Sequence, residues 1–103
     1  MILVIGHALA TPETRDEMLR LAVEHVLRSR AEPGCISHEV SVDAQQPMRL
    51  TFVERWADMA ALQVHFRVDA SRSFGKAMAR LGGAAPEIHV YRSDEIDLRA
   101  QPA

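Results

Sequence analysis

The chain of 103 residues lacks several features that would direct it to particular classes of protein. It has a single cysteine, Cys35, so no internal disulfide can form and nothing indicates secretion. Its longest apolar run, residues 1–5, is too short to cross a membrane or to form the core of a signal peptide. We therefore expect a cytoplasmic protein with no membrane partner.

Charge and cofactor motifs are equally sparse. The net charge is −2 and the basic residues form no stripe, so nucleic acid is not an expected partner. There is no glycine-rich phosphate-binding motif, which argues against a nucleotide cofactor. Five histidines are scattered along the chain, and no two stand at the i, i+4 spacing of a helical metal-binding pair. The sequence therefore predicts neither a cofactor nor a metal.

What the sequence does have is apolar periodicity along most of its length. Alternating or β-branched stretches predict four strands, at residues 1–10, 35–43, 48–56 and 87–93. Strict alternation along the second of them places Cys35 and His38 on opposite faces. A helical period predicts one helix from Thr11-Pro12 to about Arg30 and a second helix that is broken in two at Val68-Asp69. The expected organisation is one domain over residues 1–103, with a polar tail from about residue 94.

The predicted order β-α-β-β-α-β is that of the ferredoxin-like split β-α-β fold, an α+β class. It implies a four-stranded antiparallel sheet with the helices on one face. The first and third strands are apolar on both faces, and the chain has no segment left to cover the second face. We therefore predict a homodimer formed through that sheet face.

Candidate chemistry is concentrated in residues 48–66, where a strand runs into a helix. The period of two places Leu50 and Phe52 on one face together with a carboxylate, Glu54, and the single tryptophan, Trp56. Asp58 is expected to cap the helix that follows. The helical period predicts a buried stripe with His65 at its rim, and the stripe consists of Met59, Leu62 and Phe66.

Three segments resemble the antibiotic biosynthesis monooxygenase domain family: EPGC at 32–35, HEV at 38–40 and ERWADMAALQVHF from Glu54. The family pattern contains E-x-W and a histidine nine residues after the tryptophan, which Glu54, Trp56 and His65 match position by position. The resemblance covers essentially the whole chain. It implies a homodimer whose sheets pack face to face as a dimeric α+β barrel.

The resemblance also bears on activity. Several members of the family are cofactor-independent oxygenases of quinols or polycyclic phenols, while others degrade haem or isomerise a phosphorylated sugar derivative. The haem-degrading branch uses an asparagine on the first strand and a histidine in the helix that contains Phe74. This chain has no asparagine and no histidine between Phe66 and Ile88, which argues against haem degradation.

The resemblance therefore implies an oxidoreductase, a cofactor-free monooxygenase that oxidises a small aromatic or quinol-like substrate with dioxygen. Two alternatives stay open. One is an isomerase or lyase that acts through an enolate in the same pocket. The other is a stress protein on the same scaffold that binds a small molecule without catalysis.

The catalytic candidates are His65 as base or hydrogen-bond donor, Trp56 as stacking wall and Glu54 in support. An imidazole suits proton removal near neutrality because its ordinary pKa is about 6.5. A structural role stays open for each of the three.

We assign His25 to the core edge of the first helix and interpret Cys35 as a structural thiol. The substrate pocket is expected to be lined by His7, His38, Phe66, Phe74, Met78 and Tyr91.

Overall fold

The computed structural model describes residues 1–102, which form four strands and three α-helices. The strands are β1 (Ile2–Leu9), β2 (Cys35–Val42), β3 (Arg49–Trp56) and β4 (Glu87–Arg92). The helices are α1 (Arg15–Ser29), α2 (Met59–Arg67) and α3 (Asp69–Leu81), and a short 3₁₀ helix (Leu98–Ala100) follows β4. The predicted α+β class and β-α-β-β-α-β order are confirmed.

The strands form one antiparallel sheet in the order β2-β3-β1-β4. β1 lies inside the sheet and pairs with both β3 and β4, so that Val4 stands opposite Glu54 on one side and Val90 on the other. The alternate residues of β1 and β3 that face the helices are buried, whereas the residues between them are half-buried or exposed. The helices thus cover one face of the sheet, as predicted.

The covered face holds two apolar clusters. The larger packs Met18 and Val26 of α1 against Leu50 and Phe52 of β3. The smaller packs Trp56 against Ile2, Val4 and Leu62. Along β3 the helix-facing residue between Phe52 and Trp56 is Glu54. A carboxylate therefore sits between two apolar clusters, and such a group must be hydrogen-bonded or paired.

Helix α1 begins later than predicted. Pro12 lies in a turn in which the carbonyl of Thr11 accepts hydrogen bonds from the N–H groups of Thr14 and Arg15. The proline therefore precedes the helix and does not occupy its first turn.

No helix within residues 1–102 is long and apolar enough to cross a membrane.

Helix α2 is capped as predicted, but the residues that it buries differ from those predicted. The Asp58 carboxylate accepts a hydrogen bond of 2.8 Å from the N–H of Ala61. Leu62 and His65 are the buried residues of the helix, and Phe66 is 41% exposed. The expectation that Phe66 is buried and His65 lies at the rim is wrong. A histidine tolerates burial when it has a polar partner, and His65 has one.

Strand β2 contains an irregularity that reverses one prediction. Cys35 pairs with Trp56 and Ser37 with Arg55, so Ile36 is an extra residue in the ladder. Such a bulge shifts the alternation of side chains by one. Ile36 is therefore exposed, and Cys35 packs against the smaller apolar cluster on the same face as His38. Strict alternation had placed Cys35 and His38 on opposite faces.

Two glycines provide a test of the packing around α2. Gly34 has a φ of +81°, and a Cβ there would lie 2.5 Å from Cβ of Ala61. We expect Gly34→Ala to lower the free energy of unfolding by more than about 1–2 kcal/mol, since left-handed backbone and the clash both oppose it. The measurement is chemical denaturation monitored by circular dichroism.

Gly75 of α3 is the matched control. A Cβ at this position meets no atom within 4 Å, and its backbone is helical. Gly75→Ala should therefore raise the free energy of unfolding by up to about 1 kcal/mol, because alanine is the better helix former. Equal effects of the two substitutions would contradict this account of Gly34.

Candidate functional site

His65 is held by a carboxylate from a distant part of the chain. Its Nδ1 lies 2.9 Å from Oε2 and 3.2 Å from Oε1 of Glu32, which stands in the loop between α1 and β2. A second polar atom, Oγ of Ser71, lies 3.5 Å away. An ionised carboxylate only accepts hydrogen bonds, so Nδ1–H donates and Nε2 keeps its lone pair. This arrangement fixes the orientation of an imidazole that can accept a proton at Nε2.

Glu54 occupies the gap between the two apolar clusters. Its Oε1 accepts a hydrogen bond of 2.9 Å from Nε1–H of Trp56 and lies 3.2 Å from Nε2 of His38. Nε2 of His65 is 3.9 Å from the same oxygen. Burial raises the pKa of Glu54, but His38, Trp56 and His65 together outweigh it, and the pKa lies below its ordinary value. Glu54 is therefore a buried carboxylate that stays ionised.

His38 of β2 is fully buried, but its ring nitrogens lack well-formed hydrogen bonds. Its Nε2 lies 3.2 Å from Oε1 of Glu54, but the geometry is not that of a well-formed hydrogen bond. Its Nδ1 has no hydrogen-bond partner within residues 1–102. Buried polar atoms without a partner are rare in folded proteins and call for an explanation, such as strain, a catalytic role, or a bound water or ion.

His25 completes the site from α1. Its ring stacks on Phe74, with centroids 4.0 Å apart and planes 6° from parallel. Nη2 of Arg28 lies 2.6 Å from its Nδ1, and because a guanidinium only donates, Nε2 carries the proton. Burial, followed by the nearby His38, His65 and Arg28, lowers the pKa of His25 to about 3. His25 is therefore a neutral ring with a fixed donor.

These three residues, His25, His38 and His65, form what we call the histidine cluster. Their ring centroids are 5.2–5.5 Å apart, and one nitrogen of each ring lies within 4.8 Å of the others. They come from α1, β2 and α2, which meet only in the folded chain. The prediction of no metal used local spacing alone, and that argument does not apply to residues that converge from separate elements.

A cavity of about 370 Å³ adjoins the histidine cluster. Its lining includes the buried side chains of His25, Glu54 and His65, and most of its lining is apolar. Four of the residues predicted to bind substrate border it. They are His7, Phe66, Phe74 and Met78.

The other predicted site residues lie elsewhere. His38 and Trp56 are fully buried behind Glu54, so Trp56 does not stack on a ligand in the cavity and instead donates a hydrogen bond to Glu54. Tyr91 pairs with Leu3 and faces the uncovered side of the sheet. His7, although it borders the cavity, turns its ring to that uncovered side as well, where its Nδ1 lies 3.3 Å from Oγ1 of Thr51.

Comparison with known proteins decides the family. The model of the family described as "Antibiotic biosynthesis monooxygenase" matches residues 1–77. The chain belongs to this family. Uncharacterized protein sll1783 of Synechocystis sp. is 31% identical over 94 residues, which are 91% of this chain and 64% of that protein. The chain thus spans less than two thirds of the length of this curated relative.

Solved structures show the same fold in this family. A candidate antibiotic biosynthesis monooxygenase from Deinococcus radiodurans superposes with a TM-score of 0.89 at 24% identity, covering 94% of this chain and 96% of that one. A conserved protein from Methanosarcina mazei Go1 gives a TM-score of 0.85 at 27% identity, covering 90% and 92%. The similarity includes the ferredoxin-like sheet and its helices.

Sequence reasoning missed two residues of the site. Glu32 belongs to the EPGC segment that resembles the family, but no role had been given to its side chain. His25 had been assigned to the core edge of α1. Its position among the apolar residues of the predicted first helix was a signal of a functional or paired histidine, because a titratable ring that is buried needs a partner from another element.

Cys35 fits its predicted structural role. Burial, followed by the carboxylates of Glu32 and Glu54, raises the pKa of its thiol. A thiol with a raised pKa is a poor nucleophile, because the thiolate is the reactive form. The side chain instead packs against the cluster that contains Trp56.

The lowered pKa of His25 predicts a loss of stability in acid. Below about pH 6.5 the unfolded chain binds a proton at His25 that the folded chain does not, so stability falls as the pH decreases towards 3. This contribution is up to about 2 kcal/mol between pH 7 and pH 5. Denaturation of metal-free protein at both pH values measures it.

His25→Phe keeps the aromatic stack on Phe74 and removes the titrating group. The variant should therefore lose less stability than the original protein between pH 7 and pH 5. Val23→Phe, at an exposed residue of the same helix, introduces the same ring without removing a titrating group; it is the control and should lose as much as the original protein. A His25→Phe variant with an unchanged acid loss would refute the prediction.

Proposed function

We propose that the protein is a cofactor-free monooxygenase that oxidises a polycyclic phenol or a quinol with dioxygen in the cavity beside the histidine cluster. The observation that carries this proposal is that His65, which Glu32 holds by a hydrogen bond, lines a largely apolar cavity. The family to which the chain belongs is named for monooxygenases, which supports the reaction class.

The site matches what proton removal from a phenol requires. Nδ1–H of His65 is held by Glu32, so Nε2 is the basic atom, and it lies on the side of Glu54, another residue of the cavity wall. A cavity of about 370 Å³ falls in the range of small-molecule sites, roughly 300–1,000 Å³. Its apolar lining excludes water from the anion that forms.

A donor stands beside the base. The ring of His25 lies 5.3 Å from that of His65 between centroids, and its Nε2 carries a proton because Arg28 occupies Nδ1. A neutral imidazole can donate to a phenolate oxygen without itself taking up charge. His25 and His65 therefore supply opposite functions, donor and base, to the same substrate.

The substrate provides the electrons. Deprotonation by His65 yields a phenolate or its carbon-centred resonance form, which passes electrons to dioxygen. When a ring CH₂ of the keto form becomes a carbonyl, one oxygen atom enters the substrate and the other leaves as water. The four electrons come from the C–H bonds that break, so no external reductant is needed.

Oxygen uptake tests the reaction and the role of Glu32. Wild-type protein with a chelator should consume dioxygen with a member of a panel of quinols and polycyclic phenols. His65→Gln should reduce turnover by about 10²–10⁴-fold, the usual contribution of a general base. Glu32→Gln should also reduce it, because an amide carries no charge to stabilise the protonated ring and, being donor as well as acceptor, does not fix the required tautomer.

The control is Glu17→Gln, at an exposed glutamate of α1. It should leave turnover unchanged. Full turnover of Glu32→Gln on the same substrate would contradict the proposed pair. Turnover of an enolisable substrate without oxygen uptake would instead favour the isomerase alternative.

We further propose that two chains associate through the uncovered sheet face. The half-buried or exposed apolar residues on this face, Leu3, Ile5, Val53 and Tyr91, alternate with those that face the helices. An apolar face of this kind favours association with a second copy. Light scattering at micromolar concentration should give a mass near twice the 11.5 kDa of one chain.

Val53→Arg should convert the dimer to a monomer, because it places a charge in the middle of the apolar face. Val64→Arg, on the exposed side of α2, is the matched control and should leave the mass unchanged. A wild-type mass of one chain would refute the proposed dimer.

A further inference from the structure

We propose that the histidine cluster binds one divalent transition-metal ion, with Zn²⁺ as the representative probe, and that Glu54 supplies a fourth ligand. The cluster brings one nitrogen from each of His25, His38 and His65 within 4.8 Å of the other two, and all three residues are buried. Imidazole nitrogen is a preferred ligand of zinc, copper and nickel. The inference goes beyond the proposed oxidation and does not depend on it.

Glu54 is placed to complete the coordination. Its Oε1 lies 3.2 Å from Nε2 of His38 and 3.9 Å from Nε2 of His65, so one carboxylate oxygen adjoins two of the three rings. Three histidines and one carboxylate make a tetrahedral set of the kind that zinc accepts. An ion would also give His38 the partner that its buried ring lacks.

The surroundings favour a cation. The carboxylates of Glu54 and Glu32 both face the cluster, against the guanidinium of Arg28. Glu32 accepts the hydrogen bond from Nδ1 of His65, which directs Nε2 towards the cluster. Metal-binding histidines commonly donate their second N–H to a carboxylate in this way.

Binding requires two adjustments. Nitrogens bound to zinc at 2.0–2.1 Å in a tetrahedron are about 3.4 Å apart, so the cluster must contract from its present separation. His25 must also move its proton from Nε2 to Nδ1, where Nη2 of Arg28 now lies at 2.6 Å. Arg28 therefore opposes metal binding and must withdraw from His25 when the ion enters.

His65 cannot bind a metal ion and act as the base at the same time. An ion bound to Nε2 of His65 occupies the lone pair that would accept a proton from substrate. If the proposed oxidation is correct, Zn²⁺ inhibits it and a chelator restores it. This consequence rests on the proposed function, whereas binding of the ion does not.

The test is calorimetric titration of chelator-treated protein with Zn²⁺, together with visible absorption after addition of Co²⁺. One ion per chain and the intense Co²⁺ bands of tetrahedral coordination are expected. His25→Phe, checked for its fold by circular dichroism, should weaken binding by more than about tenfold. Arg28→Gln should strengthen it by about tenfold, since an amide oxygen can accept from Nδ1–H.

Lys76→Gln, at an exposed residue of α3, is the control for loss of one positive charge, and it should bind Zn²⁺ as the wild type does. This variant and Arg28→Gln keep every proposed ligand, so their comparison holds even if a ligand variant fails to fold. The proposal is overturned by wild-type protein that binds no stoichiometric ion, by a folded His25→Phe with unchanged affinity, or by an Arg28→Gln affinity no higher than that of Lys76→Gln. Zinc binding without inhibition of oxygen uptake would support the site and contradict the base role of His65.

Discussion

The buried charge of Glu54 is the constraint on which the rest of the site depends. A carboxylate inside a sheet–helix layer is costly unless nearby groups replace its lost water. Trp56 does so with an N–H from the same strand, and His38 approaches from the neighbouring strand. The interruption of the apolar core at this point is what leaves room for His25 and His65 to converge there.

The local part of this arrangement could be predicted from the sequence. The period of two along β3 placed Glu54 and Trp56 on the buried face, and the cap by Asp58 followed from residue type and position. Both depend on interactions between residues close in sequence, which periodicity and propensity describe. The resemblance to the family supplied His65 as a candidate, although not its burial.

The remaining parts depend on contacts between distant residues. Glu32 and His65 are 33 positions apart, and no local pattern reports that a loop carboxylate meets a helix histidine. The extra residue at Ile36 changed the side on which Cys35 lies, and a bulge has no reliable signature in one sequence. His25 joined the site because α1 packs over β2 and beside α3, which the order of elements implies but the helical period does not.

The contact between Gly34 and Ala61 limits the substitutions that the sequence can accept at these two positions during evolution. The loop that carries Glu32 touches the helix that carries His65 at this point, where the backbone of residue 34 approaches the methyl group of residue 61. A larger side chain at either position would push the loop away from the helix. The hydrogen bond between the Glu32 carboxylate and the His65 imidazole would then lengthen. Positions 34 and 61 should therefore stay small in any descendant that keeps the pair, even though neither touches a ligand.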